Sequence, residues 1–189
     1  MPNIRIVINS ELVLAVPQKS MAQDLWAIAK EEEKVPRYWL AWTEKHNTLA
    51  SIAKFLHHAK LYNEGGQRLT LMMIHQEKAI GSVSLVRIDR LNRIAEIGYW
   101  IGKQWQGKGW VRQSVSALIA HCFQHMAINR LEIRVPLGHQ KSAAIPLGLD
   151  FHQEGLLRQG LWHKAQYHDL QLYALLRQDW LDKTVQTKI

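Results

Sequence analysis

Two rhythms of apolar positions run along the chain. Between Ile4 and Val16 they alternate loosely, as Ile6-Val7-Ile8 and then Leu12-Val13-Leu14-Ala15-Val16, which predicts a first strand or hairpin closed by Pro17. From Met21 to Glu33, Leu25, Trp26, Ile28 and Ala29 mark one face of a helix, with Ser20 as its cap and Pro36 beyond its end. The stretch Tyr38-Trp39-Leu40-Ala41-Trp42 is dense in aromatics and fits neither rhythm. Helical spacing returns in Leu49, Ile52, Ala53, Phe55, Leu56 and Ala59, capped by Asn47 or Thr48 and ended by Gly65-Gly66.

The second half is built mainly of strands. Leu69 to Ile74 and Ala79 to Ile88, joined by the polar run His75-Gln76-Glu77-Lys78, read as an antiparallel hairpin. Asp89-Arg90-Leu91-Asn92 then turns the chain into the apolar strand Ile94 to Ile101. A glycine-bearing turn follows, Gln104-Trp105-Gln106-Gly107-Lys108-Gly109, and then a helix with Val111, Val115, Leu118, Ile119, Cys122 and Phe123 on one face. Arg130 to Val135 alternates as a strand ended by Pro136, and Lys141 to Leu149 fits a short helix that needs Pro146 near its first turn to stay undistorted. Phe151 to Arg158 and Asp169 to Leu176 read as two last strands joined by a polar loop, while 180–189 carries little periodicity and reads as a loosely ordered tail. The order of elements is that of a mixed α/β fold, and residues 1–189 read as a single domain without repeat or linker.

Charge narrows the partners. A formal net charge of +8 favours acidic ones, whether nucleic acid, anionic protein, membrane surface or polyphosphate cofactor. The basic residues are dispersed and show neither zinc-finger spacing nor a dense basic helix, which argues against dedicated nucleic-acid binding. The one cysteine, Cys122, falls on the apolar helix face and reads as a core residue. With no signal segment and no apolar run of membrane-spanning length, the expected setting is the cytoplasm.

The chemistry concentrates at the glycine turn. The first backbone N–H groups of a helix lack internal acceptors and carry the positive end of the macrodipole, so a helix opening out of Gly107 and Gly109 can hold a phosphate through its main chain. The turn has neither the Gly-Lys-Ser/Thr ending of a P-loop nor the third glycine of a dinucleotide fingerprint. Gln104 to Gly109 instead resembles the Gln/Arg-x-x-Gly-x-Gly/Ala pyrophosphate loop of the GNAT superfamily of N-acetyltransferases. Together with Ala95-Glu96-Ile97-Gly98-Tyr99-Trp100, it resembles the RimJ/RimL branch that acetylates ribosomal-protein N-termini.

That resemblance implies a central twisted mixed sheet of about seven strands flanked by helices, acetyl-coenzyme A as cofactor, and acetyl transfer to a primary amine. It assigns Trp100, Ile101 and Gly102 to the pantetheine arm, and Gln104, Gln106, Gly107, Lys108, Gly109 and Trp110 to the pyrophosphate. It also directs Trp39, Trp42 and His57-His58 toward the acceptor side, and carries an expectation of homodimerisation. Glu96 interrupts an apolar strand and is the candidate general base, with ion pairing to Arg87 or Arg93 as its structural alternative. Ser142 matches the serine of the family's Asn-x-x-Ser pattern, near the sulfur, with a helix N-cap as its alternative.

Three positions depart from the pattern. His139 replaces the asparagine that contacts the pantetheine arm, Asp150 replaces the glycine before Phe151, and Leu161 stands where the RimL type carries an acidic residue. His139, His163 and His168 become candidate replacement bases, since imidazole titrates in the right range. Two functions fit: an N-acetyltransferase acting on a protein α-amine, including an acidic ribosomal protein, or on a small amine or antibiotic; or a coenzyme A-binding sensor that has lost efficient transfer.

Overall fold

The computed structural model describes residues 4–33 and 48–186. Trp39, Trp42 and Asn47 lie outside the described residues. The described chain forms β1 (Arg5–Val7), β2 (Val13–Ala15), α1 (Ala22–Glu33), α2 (Leu49–Glu64), β3 (Leu69–His75), β4 (Lys78–Asp89), β5 (Ile94–Ile101), α3 (Trp110–His125), β6 (Arg130–Pro136), α4 (Gln140–Leu147), β7 (His152–His163), β8 (Gln166–Leu176) and α5 (Arg177–Gln186). Its sheet has eight strands in the order β1-β2-β3-β4-β5-β6-β8-β7, antiparallel except for the β5–β6 pair among the ladders recorded. By contact, the chain divides into two compact units, 1–86 with 99–117, and 87–98 with 118–189.

In the first unit, β1 to β4 pair antiparallel in chain order, and α1 and α2, which lie between β2 and β3 in the chain, pack on them. Leu25, Ile28 and Ala29 of α1 and Ile52 and Leu56 of α2 are buried with Met72 and Ala79, and Trp100 and Trp105 pack against that cluster. Two polar ties fix the helices. Asp24 accepts the Ala79 N–H at 2.9 Å, and buried Asn63 both donates to the Thr70 carbonyl (2.8 Å) and accepts the Thr70 N–H (2.7 Å). Thr48 is the residue that caps α2, in a reciprocal pair with Ser51. The β3–β4 turn is Gln76-Glu77, both at positive φ (47° and 65°), the backbone of a type I′ hairpin.

In the second unit, β6 pairs in parallel with β5 and antiparallel with β8 along its whole length. Leu131, Ile133 and Val135 of β6, Tyr173 and Leu175 of β8, and Cys122 and Phe123 of α3 are buried. Burial pushes the Cys122 thiol up to about 12, which suits a core residue.

Three expectations are corrected here. The last two strands are not joined by a polar loop: β7 and β8 form one long hairpin closed by Lys164-Ala165, both at positive φ. Residues 180–186 belong to α5, held by the Trp180 ring against Phe123 (centroids 5.6 Å apart) and by a 2.7 Å ion pair from Lys183 to Asp150. Pro146 sits in the last turn of α4 rather than its first, just before the Gly148 cap.

Candidate functional site

Gly107 and Gly109 adopt φ values of +80° and +74°, and α3 begins at Trp110. A Cβ added at Gly107 would meet nothing within 4 Å, so left-handed backbone, not crowding, selects glycine there, and the space above the turn is open. The first α-helical bond of α3 runs from the Gln113 N–H to the Gly109 carbonyl at 3.1 Å, so the amides of 110–112 precede the internal ladder. Exposed Lys108 and Arg112 flank them. The turn is braced from below. His75 stacks on the buried Trp110 ring (centroids 4.5 Å), Lys108 lies over that ring at 4.8 Å, and Asn9 donates to Gln113 at 2.7 Å. Open space, unladdered amides and two cations fit a pyrophosphate.

Gln106 ends a 3-10 turn (Lys103–Trp105), its own N–H bonded to the Lys103 carbonyl. Gly102, assigned to the pantetheine arm, has both main-chain groups engaged inside the protein: its N–H donates to Ile80 at 2.9 Å and its carbonyl accepts from Trp105 at 3.0 Å. Its glycine is required by packing, since a Cβ would lie 2.9 Å from the Trp105 ring. A glycine that sequence reading passed over, Gly81 of β4, is tighter still, with a Cβ falling 2.4 Å from the Trp100 carbonyl oxygen.

In the second unit, the β5–β6 ladder ends at the pair Glu96↔Glu132, while β6 continues to Pro136 against β8. Glu96 Oε2 lies 3.6 Å from Arg87 Nε and 3.5 Å from Arg134 Nε. Glu132 accepts from Arg87 and Arg134 (3.3 Å each) and from Arg130 (2.9 Å), and Arg130 also clamps Glu154 through both carboxylate oxygens. That clamp holds Glu154 below the usual carboxylate range. Glu96 is thus one corner of an ion lattice rather than an isolated carboxylate. Glu132 and Arg134 were unremarked in the sequence, although their two-residue spacing on β6 places them on one face.

His139, not Ser142, caps α4: its Nδ1 accepts the Ser142 N–H at 3.1 Å. An accepting Nδ1 places the ring proton on Nε2. Burial, with the Lys141 charge as a smaller cause, holds His139 below the ordinary imidazole value, so the neutral capping form is favoured. Ser142 is the third residue of the helix and half-buried.

Of the remaining candidates, His163, His168 and Leu161 come together at the end of the β7–β8 hairpin, the two imidazole rings 6.2 Å apart. His163 is buried at the end of β7, His168 pairs across the hairpin with Leu161, and Leu161 is half-buried in β7. His57 and His58 are exposed on α2. Asp150 takes φ +63°, a left-handed conformation that a glycine would adopt more readily than aspartate. Among the described residues, no group of three or more side chains could hold a metal ion.

The chain belongs to the acetyltransferase (GNAT) domain family, matched over residues 11–152, and is an acetyl-coenzyme A-dependent N-acetyltransferase. The ribosomal-protein-serine acetyltransferase of Escherichia coli (strain K12) is 27% identical over 169 residues, 89% of this chain and 94% of that protein. The YdaF protein of Bacillus subtilis (strain 168) is 38% identical over 108 residues, 57% of this chain and 59% of that protein. Among solved structures, a RimL ribosomal alpha-N-protein acetyltransferase in complex with coenzyme A superposes with a TM-score of 0.85 at 25% identity, covering 92% of this chain and 98% of that one.

Proposed function

We propose that the protein acetylates the N-terminal α-amine of a protein, in the first place a ribosomal protein, in the cytoplasm. The relatives named for ribosomal-protein acetylation support the acceptor class. One observation carries the choice of amine. Glu96 stands 3.6 Å from Arg87 and 3.5 Å from Arg134, and Leu161 offers no proton acceptor, so an amine that arrives already neutral suits this site best. An α-amine, with a pKa of about 7.7–8.0, is roughly one-third neutral near pH 7.5, whereas a lysine or polyamine nitrogen near 10.4 is neutral in only about one molecule in a thousand.

The roles follow from the chain's own groups. The amides of 107–112, with Lys108 and Arg112, hold the pyrophosphate. When bound, acetyl-coenzyme A supplies the thioester whose acetyl group the amine attacks. Glu96 takes up, through water, the proton that the amine gives up, a task an ion-paired carboxylate can perform once the amine enters neutral. The Ser142 hydroxyl holds the proton that leaves with the thiol, and His139 keeps an N–H donor where the family has an asparagine amide. Two copies are placed together at the tip of the β7–β8 hairpin, where Trp162 and Tyr167, each 60% exposed, stack edge to face.

Free-thiol release from acetyl-coenzyme A tests the reading. Peptides with free N-termini and intact ribosomal proteins are expected to accelerate release, and N-terminally blocked peptides that still carry lysine are not. The Glu96→Gln protein should lose roughly a hundredfold in kcat while its coenzyme A affinity holds. Release driven only by lysine or small amines would refute the α-amine assignment, and coenzyme A binding without release by any acceptor would favour the sensor.

A further inference from the structure

Among the described residues, three pairs of histidines bring their rings close: His57 with His58, His163 with His168, and His121 with His125. The last pair stands on α3, four residues apart, and has no part in the acetyl-transfer roles above. Residues at this spacing lie one above the other on a helix, so both imidazoles project from one face of its last two turns. His125 is exposed and His121 partly so, which leaves the pair open to an ion from solution.

The distance between the rings decides what each pair can hold. A metal–imidazole bond is about 2.0–2.1 Å and the nitrogen sits about 1.1 Å from its ring centre, so two imidazoles on one square-planar or tetrahedral ion have ring centres about 4.5–5.2 Å apart. His121 and His125 are at 5.3 Å, a slight side-chain rotation from that range. His57–His58 at 6.1 Å and His163–His168 at 6.2 Å lie outside it. The backbone that carries the pair is also fixed. Cys122 and Phe123, between the two histidines, are buried, Arg177 donates to the Phe123 carbonyl at 3.0 Å, and the Phe123 ring packs on Trp180. Ligands that stand on a rigid helix lose little freedom when they close on an ion.

We infer that His121 and His125 form a surface site for a divalent transition-metal ion, held by two imidazole nitrogens with water in the remaining positions. Among the described residues no third histidine, cysteine or carboxylate joins them, so the ion is exchangeable, unlike one in a closed four-ligand site. Imidazole ligands favour copper(II) over zinc and leave magnesium and calcium, which take oxygen ligands, unbound. The chelate exists only while α3 is helical, so the ion favours the folded chain and ties its stability to metal supply. This inference stands apart from the acetyl-transfer reading.

The test titrates the full chain with copper(II), zinc and magnesium chlorides by calorimetry near neutral pH. It is repeated with His121→Gln, with His125→Gln, and with His125→Gln/Met126→His, which keeps the number of histidines but turns the second ring off the shared face. Glutamine is a good helix former, and melting temperatures without metal show that each variant folds. Copper is expected to bind one ion per chain, more tightly than zinc, with no heat from magnesium. Each of the three variants should weaken copper binding about tenfold or more, and His57→Gln/His58→Gln should leave it unchanged. Electron paramagnetic resonance of the bound copper should show two coupled imidazole nitrogens in the native protein and one in the single variants. Zinc at about a hundredfold excess over its Kd should raise the melting temperature of the native protein by several degrees and leave that of His121→Gln where it was. Copper affinity that stays the same in the three variants, or that falls in His57→Gln/His58→Gln instead, would overturn the assignment.

Discussion

At the scale of single residues, His139 is the most informative departure from the family pattern. A histidine caps a helix through Nδ1 only while neutral. Burial has lowered its pKa, so the folded chain favours the neutral ring. The stability this contributes is complete above the unfolded value of about 6.5 and is lost as the pH falls through the lower folded value. His139→Asn should keep the cap and an N–H donor, leave kcat within about threefold, and remove the acid-side loss of stability, whereas His139→Ala should cost about 1 kcal/mol of stability. Thermal melts and pH–rate profiles of the two variants decide the point, and a collapse of kcat in His139→Asn would restore the general-base assignment. Asp150, another departure, is accommodated in a left-handed conformation and makes an ion pair with Lys183.

Among the secondary-structure elements, the two hairpin turns carry a reserve of stability. Gln76-Glu77 and Lys164-Ala165 hold the left-handed conformation without a glycine or asparagine between them. Glu77→Gly should therefore raise the unfolding free energy by about 1 kcal/mol, read from the denaturant midpoint. The opposite is expected at Gly81, where an alanine methyl has to displace the Trp100 carbonyl or the Ile101 backbone. Gly81→Ala should cost about 1–3 kcal/mol and weaken coenzyme A binding measured by calorimetry. These turns also explain what could be read in advance. The β3–β4 hairpin was legible because a polar run interrupts two apolar ones, and the turn that opens α3 was legible because Gly107 and Gly109 stand directly before a helical period. The closing of β7 on β8 was not, because Lys164-Ala165 carries no turn chemistry and the hairpin is long enough to absorb bulges around Gln153/Gly155 and Leu157/Leu161. Helix α5 escaped because Phe123 and Asp150, which hold it, are distant in sequence. The His139 cap escaped because histidine is not among the usual capping residues.

For the whole molecule, sequence reading reached the fold and the glycine turn that opens α3, both of which rest on local periodicity and backbone chemistry. Of the ion lattice around Glu96 it reached the Arg87 pair and missed Glu132 and Arg134, which depend on register between β4, β5 and β6. The β7–β8 hairpin has the broadest consequence at this scale. A terminal strand of twelve residues, nearly all exposed, ends beside an aromatic pair that one chain alone leaves in water. If a second copy covers that pair, assembly and folding draw on the same free energy, and heat resistance becomes a property of the solution as well as of the chain. Dilution should then lower the melting temperature by several degrees over a hundredfold range of protein concentration, and Trp162→Ser/Tyr167→Ser should make it independent of concentration. A dose too dilute to sustain pairs would unfold at a temperature that a concentrated stock survives.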